Sequence, residues 1–130
     1  MIGQNNVTGL QHIGIPCSDI DVTVAFYTGL GFKTVMTTLN KAANEKVAFL
    51  RLGDTTIETY QVKSTAGVTG SIDHIAFSAK DVSRLYEEVK AGCYTILGDG
   101  IESLPFWEHG VKFFKILGPN NEVIEFSQIL

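Results

Sequence analysis

The sequence is poor in the features that mark several large classes of protein. It has two cysteines, Cys17 and Cys93, in no CxxC spacing, so neither a disulfide framework nor a cysteine-built metal site accounts for a chain of 130 residues. Both cysteines are expected to be reduced residues that only pack. Positive charge is not in excess: ten Lys and Arg stand against fourteen Asp and Glu, and a net charge of −4 offers no basic footprint to nucleic acid or anionic lipid. Nowhere do about 18 apolar residues run together, as a membrane-spanning helix needs. The opening MIGQNNVTGL has neither the basic nor the apolar region of a secretion signal. These absences point to a cytoplasmic protein that binds no nucleic acid and no membrane. Only three prolines, and 18% charged residues against 45% apolar ones, exclude a proline-rich linker or a disordered segment, and the length suits one domain, residues 1–130.

What is present is a repeat. His12-Ile13-Gly14-Ile15 returns as His74-Ile75-Ala76-Phe77, and Asp19-Ile20 returns as Asp81-Val82 at the same offset. Further on, residues 49–53 align with 114–118, and Ile57-Glu58-Thr59-Tyr60-Gln61 aligns with Ile124-Glu125-Phe126-Ser127-Gln128. The copies cover about residues 9–62 and 71–128, joined by a small-residue stretch at 63–71. Each opens on a short β-branched and apolar strand, residues 10–15 and 72–78. A helix follows. In the second copy Asp81 offers a cap, Val82, Leu85, Tyr86 and Val89 recur at helical spacing, and Gly92 offers a stop. In the first copy residues 20–27 are β-branched enough for a strand, but Ser18 and Asp19 offer caps, Gly29 and Gly31 a stop, and the repeat assigns a helix. Strands at 33–39, 46–52 and 55–62, and at 94–97, 111–117 and 123–127, complete two βαβββ modules of an α+β fold, with a turn at 119–122. Residues 98–110, GDGIESLPFWEHG, are expected to form one long irregular loop, long enough to serve as a lid.

Polar residues interrupt the apolar pattern at matched places. Side chains alternate across a strand, so His12 opposes Ile13 and Ile15, and His74 opposes Ile75 and Phe77, the pair expected to pack under a helix. Glu58 lies between Ile57 and Thr59, and Glu125 between Ile124 and Phe126, although glutamate is depleted in strands. Two of the three histidines and two glutamates thus occupy equivalent positions of a repeat, and a pseudo-twofold arrangement would bring them toward one concave surface. Two neutral nitrogens and two anionic oxygens suit one divalent ion of Ni, Zn, Co, Mn or ferrous Fe, with Ca and Mg less suited and Cu(I) poorly so. Two carboxylates balance the ionic charge, and an octahedral ion keeps two positions for water or substrate, which makes a Lewis-acid site.

The stretches LQHIGIPCSDIDVTVAFYTGLGF, TTIETYQ, IDHIAFSAKDV and GVKFFKILGPNNEVIEF together resemble the vicinal oxygen chelate superfamily, which groups glyoxalases, bleomycin resistance proteins and extradiol dioxygenases. Within it the chain looks most like short bacterial glyoxalase I, lactoylglutathione lyase. The resemblance covers nearly the whole chain. It implies paired βαβββ modules in a cupped eight-stranded mixed sheet, a homodimer whose sites take ligands from one module of each chain, and metal ligands at His12, Glu58, His74 and Glu125. It also implies a lyase or isomerase that acts on a small-molecule substrate and abstracts a proton next to a carbonyl to give a metal-stabilised enediolate, with Glu125 as the catalytic base and Glu58 as the second candidate. An acyl-thioester epimerase would use the same logic with two opposed bases. An extradiol dioxygenase would need a 2-His-1-carboxylate triad, which Glu58 argues against, and a metal-free sequestering protein of the resistance type would not need all four ligand types.

The chain departs from that pattern at one turn. Glyoxalase-like proteins usually carry DPDG before the last strand, and here Gly118-Pro119-Asn120-Asn121 keeps the turn without its charge. No residue stands out for glutathione carboxylates: Arg51, Arg84 and scattered lysines are candidates, with solvated charge as their ordinary role. In the long loop, Phe106 and Trp107 would either wall the site or pin the loop to the core, and His109 would touch substrate or face water.

Overall fold

The computed structural model describes residue 6 and residues 8–130, so the reading of the opening segment at residues 1–5 and 7 lies outside the described residues. Its elements, in chain order, are β1 (Ile13–Cys17), α1 (Ile20–Gly29), β2 (Lys33–Asn40), β3 (Glu45–Leu52), β4 (Thr55–Gln61), β5 (Ile75–Ser78), α2 (Val82–Ala91), β6 (Thr95–Leu104), β7 (Val111–Leu117) and β8 (Val123–Ile129). The chain divides into two units, the first running to Thr65 and the second from Ala66 to Leu130. Each is βαβββ, and the eight strands form two four-stranded mixed sheets ordered β1-β4-β3-β2 and β5-β8-β7-β6. In each sheet the first strand runs parallel to the last and the other pairings are antiparallel. Neither described helix is long and apolar enough to cross a membrane.

Each helix starts where its sequence calls for it. The Asp19 carboxylate accepts from the backbone N–H of Asp21 and Val22 at 3.0 and 3.1 Å, and the Asp81 carboxylate accepts from Arg84 N–H at 3.0 Å. The first helical N–H has a second kind of partner: Ile20 N–H donates to Gln61 Oε1 at 3.0 Å, and Val82 N–H to Gln128 Oε1 at 2.9 Å. A glutamine late in the last strand thus ties each helix start to its sheet. The helices cover one face of each sheet. In the first unit Cys17, Ile20 and Ala48 are buried together with Val24 against them. In the second, the Phe114 ring lies between Tyr86 and Phe126, with centroids 5.2 Å away on both sides.

The helix ends differ from expectation in one respect. In α1 the left-handed residue after the cap is Gly31, with φ +100°. In α2 Gly92 keeps φ −82° and the left-handed position falls on Cys93, φ +61°, an exposed residue. Cys17 is buried as expected, whereas Cys93 does not pack: the helix needs a left-handed residue there to turn its chain away, whatever side chain the position carries.

Strand boundaries shift as well. β1 and β5 begin at Ile13 and Ile75, so His12 and His74 each sit one residue ahead of a strand, not inside it. β6 runs on to Leu104 and absorbs half of the segment expected as loop, leaving Pro105 to Gly110 irregular. It does so by a register shift, with residues 98–101 set against Phe114 alone and with Gly98 and Gly100 at φ +72° and +116°. Glycines and an aspartate read as loop in one dimension; on an edge strand they form a bulge.

A non-glycine residue in the left-handed region costs roughly 1–2 kcal/mol. Cys93→Gly is therefore expected to stabilise the protein by about 1 kcal/mol, and Gly31→Ala to cost a similar amount. Crowding does not enter at Gly31, where an added Cβ would meet nothing closer than Leu52 Cδ1 at 3.9 Å. Urea denaturation with unchanged slope is the check, and a Cys93→Gly variant no more stable than its parent would contradict the account.

Candidate functional site

In the first unit the pleat of β4 decides where its carboxylate goes. Ile57 and Thr59 are fully buried, and Thr59 pairs with Ala48 on the side of α1, so Glu58 points to the other face and is half-buried. Its cross-strand neighbours are Gly14 in β1 and Phe49 in β3. Gly14 carries no side chain, which leaves room beside the carboxylate, and the Phe49 ring meets His12 edge-on at 5.9 Å. His12 Nδ1 lies 2.8 Å from Gln11 Oε1, and its Nε2 lies 3.1 Å from Glu58 Oε2. With the Nδ1 proton donated to Gln11, a lone pair on Nε2 faces a carboxylate oxygen. Two acceptors at that distance are satisfied by a shared proton or by a cation.

The second unit repeats the arrangement with different surroundings. Ile124 and Phe126 are buried toward α2, Glu125 turns the other way, and its neighbours are Ala76 in β5 and Lys115 in β7. His74 Nδ1 lies 2.8 Å from Asp73 Oδ2, and its Nε2 lies 3.7 Å from Glu125 Oε2. Lys115 Nζ approaches the same Glu125 oxygen at 3.9 Å. The hydrogen bond with His74 holds the Asp73 carboxyl below its ordinary value; desolvation opposes it, and the charges of His74 and Lys115 reinforce it. Each imidazole is thus anchored through Nδ1 to the preceding side chain and turned through Nε2 to a strand glutamate, the orientation that outer-shell partners give to metal-ligating histidines.

The four residues singled out in the sequence therefore come together as two pairs, His12 with Glu58 and His74 with Glu125. In neither unit, among the described residues, do three or more His, Cys, Asp or Glu side chains gather where they could hold a metal ion. The remaining candidates sit apart. Phe106 and Trp107 are exposed, so they do not pin their segment to the core, and Trp107 takes φ +65°. His109 is exposed, with Glu108 3.8 Å away. Arg84 pairs with Glu88 on the surface of α2, and Arg51 is exposed beside Thr56, as solvated charges. Lys115 was not singled out, because the alignment of Phe49 with Phe114 hides it: strand pairing sets Glu58 against Phe49 and Glu125 against Lys115. A cavity of about 420 Å³ in the first unit is lined by Ile20, Val24, Thr37, Lys46 and Ala48 among others, and by neither His12 nor Glu58.

The sequence profile of the Glyoxalase/Bleomycin resistance protein/Dioxygenase superfamily matches residues 9–126 of the chain. The uncharacterised protein YwbC of Bacillus subtilis (strain 168) is 31% identical over 126 residues, covering 92% of this chain and 96% of YwbC. Among solved structures, a glyoxalase family protein from Enterococcus faecalis matches with a TM-score of 0.77 at 18% identity, over 92% of this chain and 96% of that one. A variant of the fosfomycin resistance protein FosX from Listeria monocytogenes, complexed with Mn(II) and 1S,2S-dihydroxypropylphosphonic acid, matches with a TM-score of 0.71 at 19% identity, over 92% and 91% of the two chains. At these identities the solved structures carry the fold.

Because the folded value of Asp73 lies below its ordinary 3.8, the stability it contributes is fully present above that value and is lost as pH falls through the lower folded one. In a carboxyl-carbon NMR titration Asp73 is expected to have a midpoint below 3.8, and His74→Ala is expected to return it toward 3.8. An unmoved midpoint in that variant would contradict the hydrogen bond as the cause.

Proposed function

The chain belongs to the Glyoxalase/Bleomycin resistance protein/Dioxygenase superfamily, and from that premise we propose that it is a metal-dependent lyase or isomerase that moves a proton next to a carbonyl. The observation that carries the reading is the matched pairing of His12 Nε2 with Glu58 and His74 Nε2 with Glu125, each imidazole anchored through Nδ1. Two imidazole nitrogens and two carboxylates fit a borderline divalent ion such as Ni, Zn, Co, Mn or ferrous Fe. Mn(II) in two FosX complexes of the same fold supports that class of metal. The four residues would hold one such ion per site, in a homodimer whose sites draw one pair from each chain.

A divalent ion held there supplies positive charge beside the substrate's carbonyl oxygens, where negative charge develops. Proton movement falls to the glutamates. Glu125 stands 3.7 Å from its histidine and Glu58 only 3.1 Å, so Glu125 is the less closely paired with its imidazole, which supports it as the base. It takes the proton from the carbon beside the carbonyl and returns it to the neighbouring carbon, and Glu58 is the second candidate for that work. Gly14 and Ala76, the cross-strand neighbours of the two glutamates, put little bulk beside them.

Elemental analysis is expected to find about one divalent ion per chain in the purified protein, with loss on His12→Ala or His74→Ala. Variants that retain the parent's metal would place the site elsewhere. Glu58→Gln is expected to weaken metal binding roughly 10- to 100-fold. Glu125→Gln is expected to keep metal while turnover falls roughly 100-fold or more. Deuterium exchange at the α-carbon of hemithioacetals and acyl thioesters checks the reaction type; dioxygen uptake with catechols and no such exchange would overturn it. Sedimentation is expected to give a dimer, and a monomer with full metal occupancy would overturn the shared-site arrangement.

A further inference from the structure

The repeat makes one unit a control for the other. Leu50 and Ile116 are buried cross-strand partners of Ile57 and Ile124, so the residues just before them, Phe49 and Lys115, hold equivalent positions beside Glu58 and Glu125. Both glutamates have a small residue on the first strand and a histidine just ahead of it, while the histidine's anchor changes from Gln11 to the carboxylate of Asp73. Across from the glutamate, an aromatic ring in the first unit gives way to an ammonium in the second.

The ammonium is not bound tightly to its glutamate. Lys115 Nζ lies 3.9 Å from Glu125 Oε2, beyond hydrogen-bond length, and 5.7 Å from the centroid of the Phe113 ring on its own strand. On its other side the pairing partner is Leu97. The side chain is one-third exposed, so a cation with three donors is held partly desolvated between apolar neighbours, within reach of a candidate ligand.

We propose that Lys115 is the specificity residue that makes this site take a substrate with an anionic oxygen among its metal-chelating oxygens, an inference that rests on the metal-centre reading above. Two carboxylates and a divalent ion are neutral together, and Lys115 adds one positive charge. A monoanionic ligand restores neutrality and gives the ammonium a partner at hydrogen-bond distance. Asp73, a further charged group near this pair, is 77% exposed and engaged by His74, so water screens its charge.

The test uses the protein loaded with Co(II), whose visible spectrum reports ligand binding, and two probes of like shape, glycolate and its neutral counterpart glycolamide. The parent protein is expected to favour glycolate, and Lys115→Met to narrow that preference at least ten-fold while Co(II) affinity stays within about two-fold. Lys115→Arg is expected to keep the preference, and Lys115→Gln repeats the loss should the Met variant fold poorly. An unchanged preference with altered Co(II) affinity would reduce Lys115 to a partner of Glu125 and overturn the proposal while leaving the metal centre standing. No uptake of Co(II) by the parent protein would overturn both.

Discussion

A β-strand cannot slip by one residue without exchanging its two faces, and in this chain that rule is enforced by side chains with nowhere else to go. Ile57, Thr59, Ile124 and Phe126 lie buried on the helix-covered faces of β4 and β8. Removing any of the three apolar ones from water is worth about 2 kcal/mol. A slip would expose them and drive Glu58 and Glu125 under the helices, where an unpaired carboxylate costs far more than the burial returns. The carboxylates are therefore fixed on the opposite faces by the packing of their neighbours. His12, His74, Phe49 and Lys115 inherit their positions from the same register.

The helices are bound into that register. A helix leaves its first backbone N–H groups without internal partners, and Asp19 and Asp81 satisfy some of them locally. Gln61 and Gln128 satisfy the first of them from the sheet, three residues beyond Glu58 and Glu125. One strand thus carries both a site carboxylate and the acceptor that ties the covering helix to it, so a shift in one is felt by the other.

Much of this was legible in the sequence because its signals are local. The capping aspartates, the spacing of Val82, Leu85, Tyr86 and Val89, and the alternation around Glu58 and Glu125 each depend on a few adjacent residues. What escaped depends on pairing between distant segments. The bulge at residues 98–101 exists because β6 follows β7 across a register shift, and glycines suited to a bulge are also suited to a loop. Lys115 escaped because matching phenylalanines aligned Phe49 with Phe114, whereas hydrogen bonding counts from the partner strand. The glutamines were visible as repeated residues, but a side-chain acceptor for a helix N–H cannot be recognised before strand and helix are placed in space.

A duplicated unit has a chemical consequence. One His–Glu pair offers two donors, too few to define a coordination sphere for a divalent ion, so on the proposed reading neither unit acts alone and each must present its pair on an accessible face. Duplication also frees the copies to diverge where the donors do not. The first pair is the closer, 3.1 Å, and is backed by the Phe49 ring; the second is wider, 3.7 Å, and has an ammonium beside it. On the proposed reading, the closer pair is the one suited to holding an ion, and the wider pair beside an ammonium is the one suited to exchanging a proton and receiving an anion. The same βαβββ frame would then divide retention and reaction between its copies through the residue across from each glutamate.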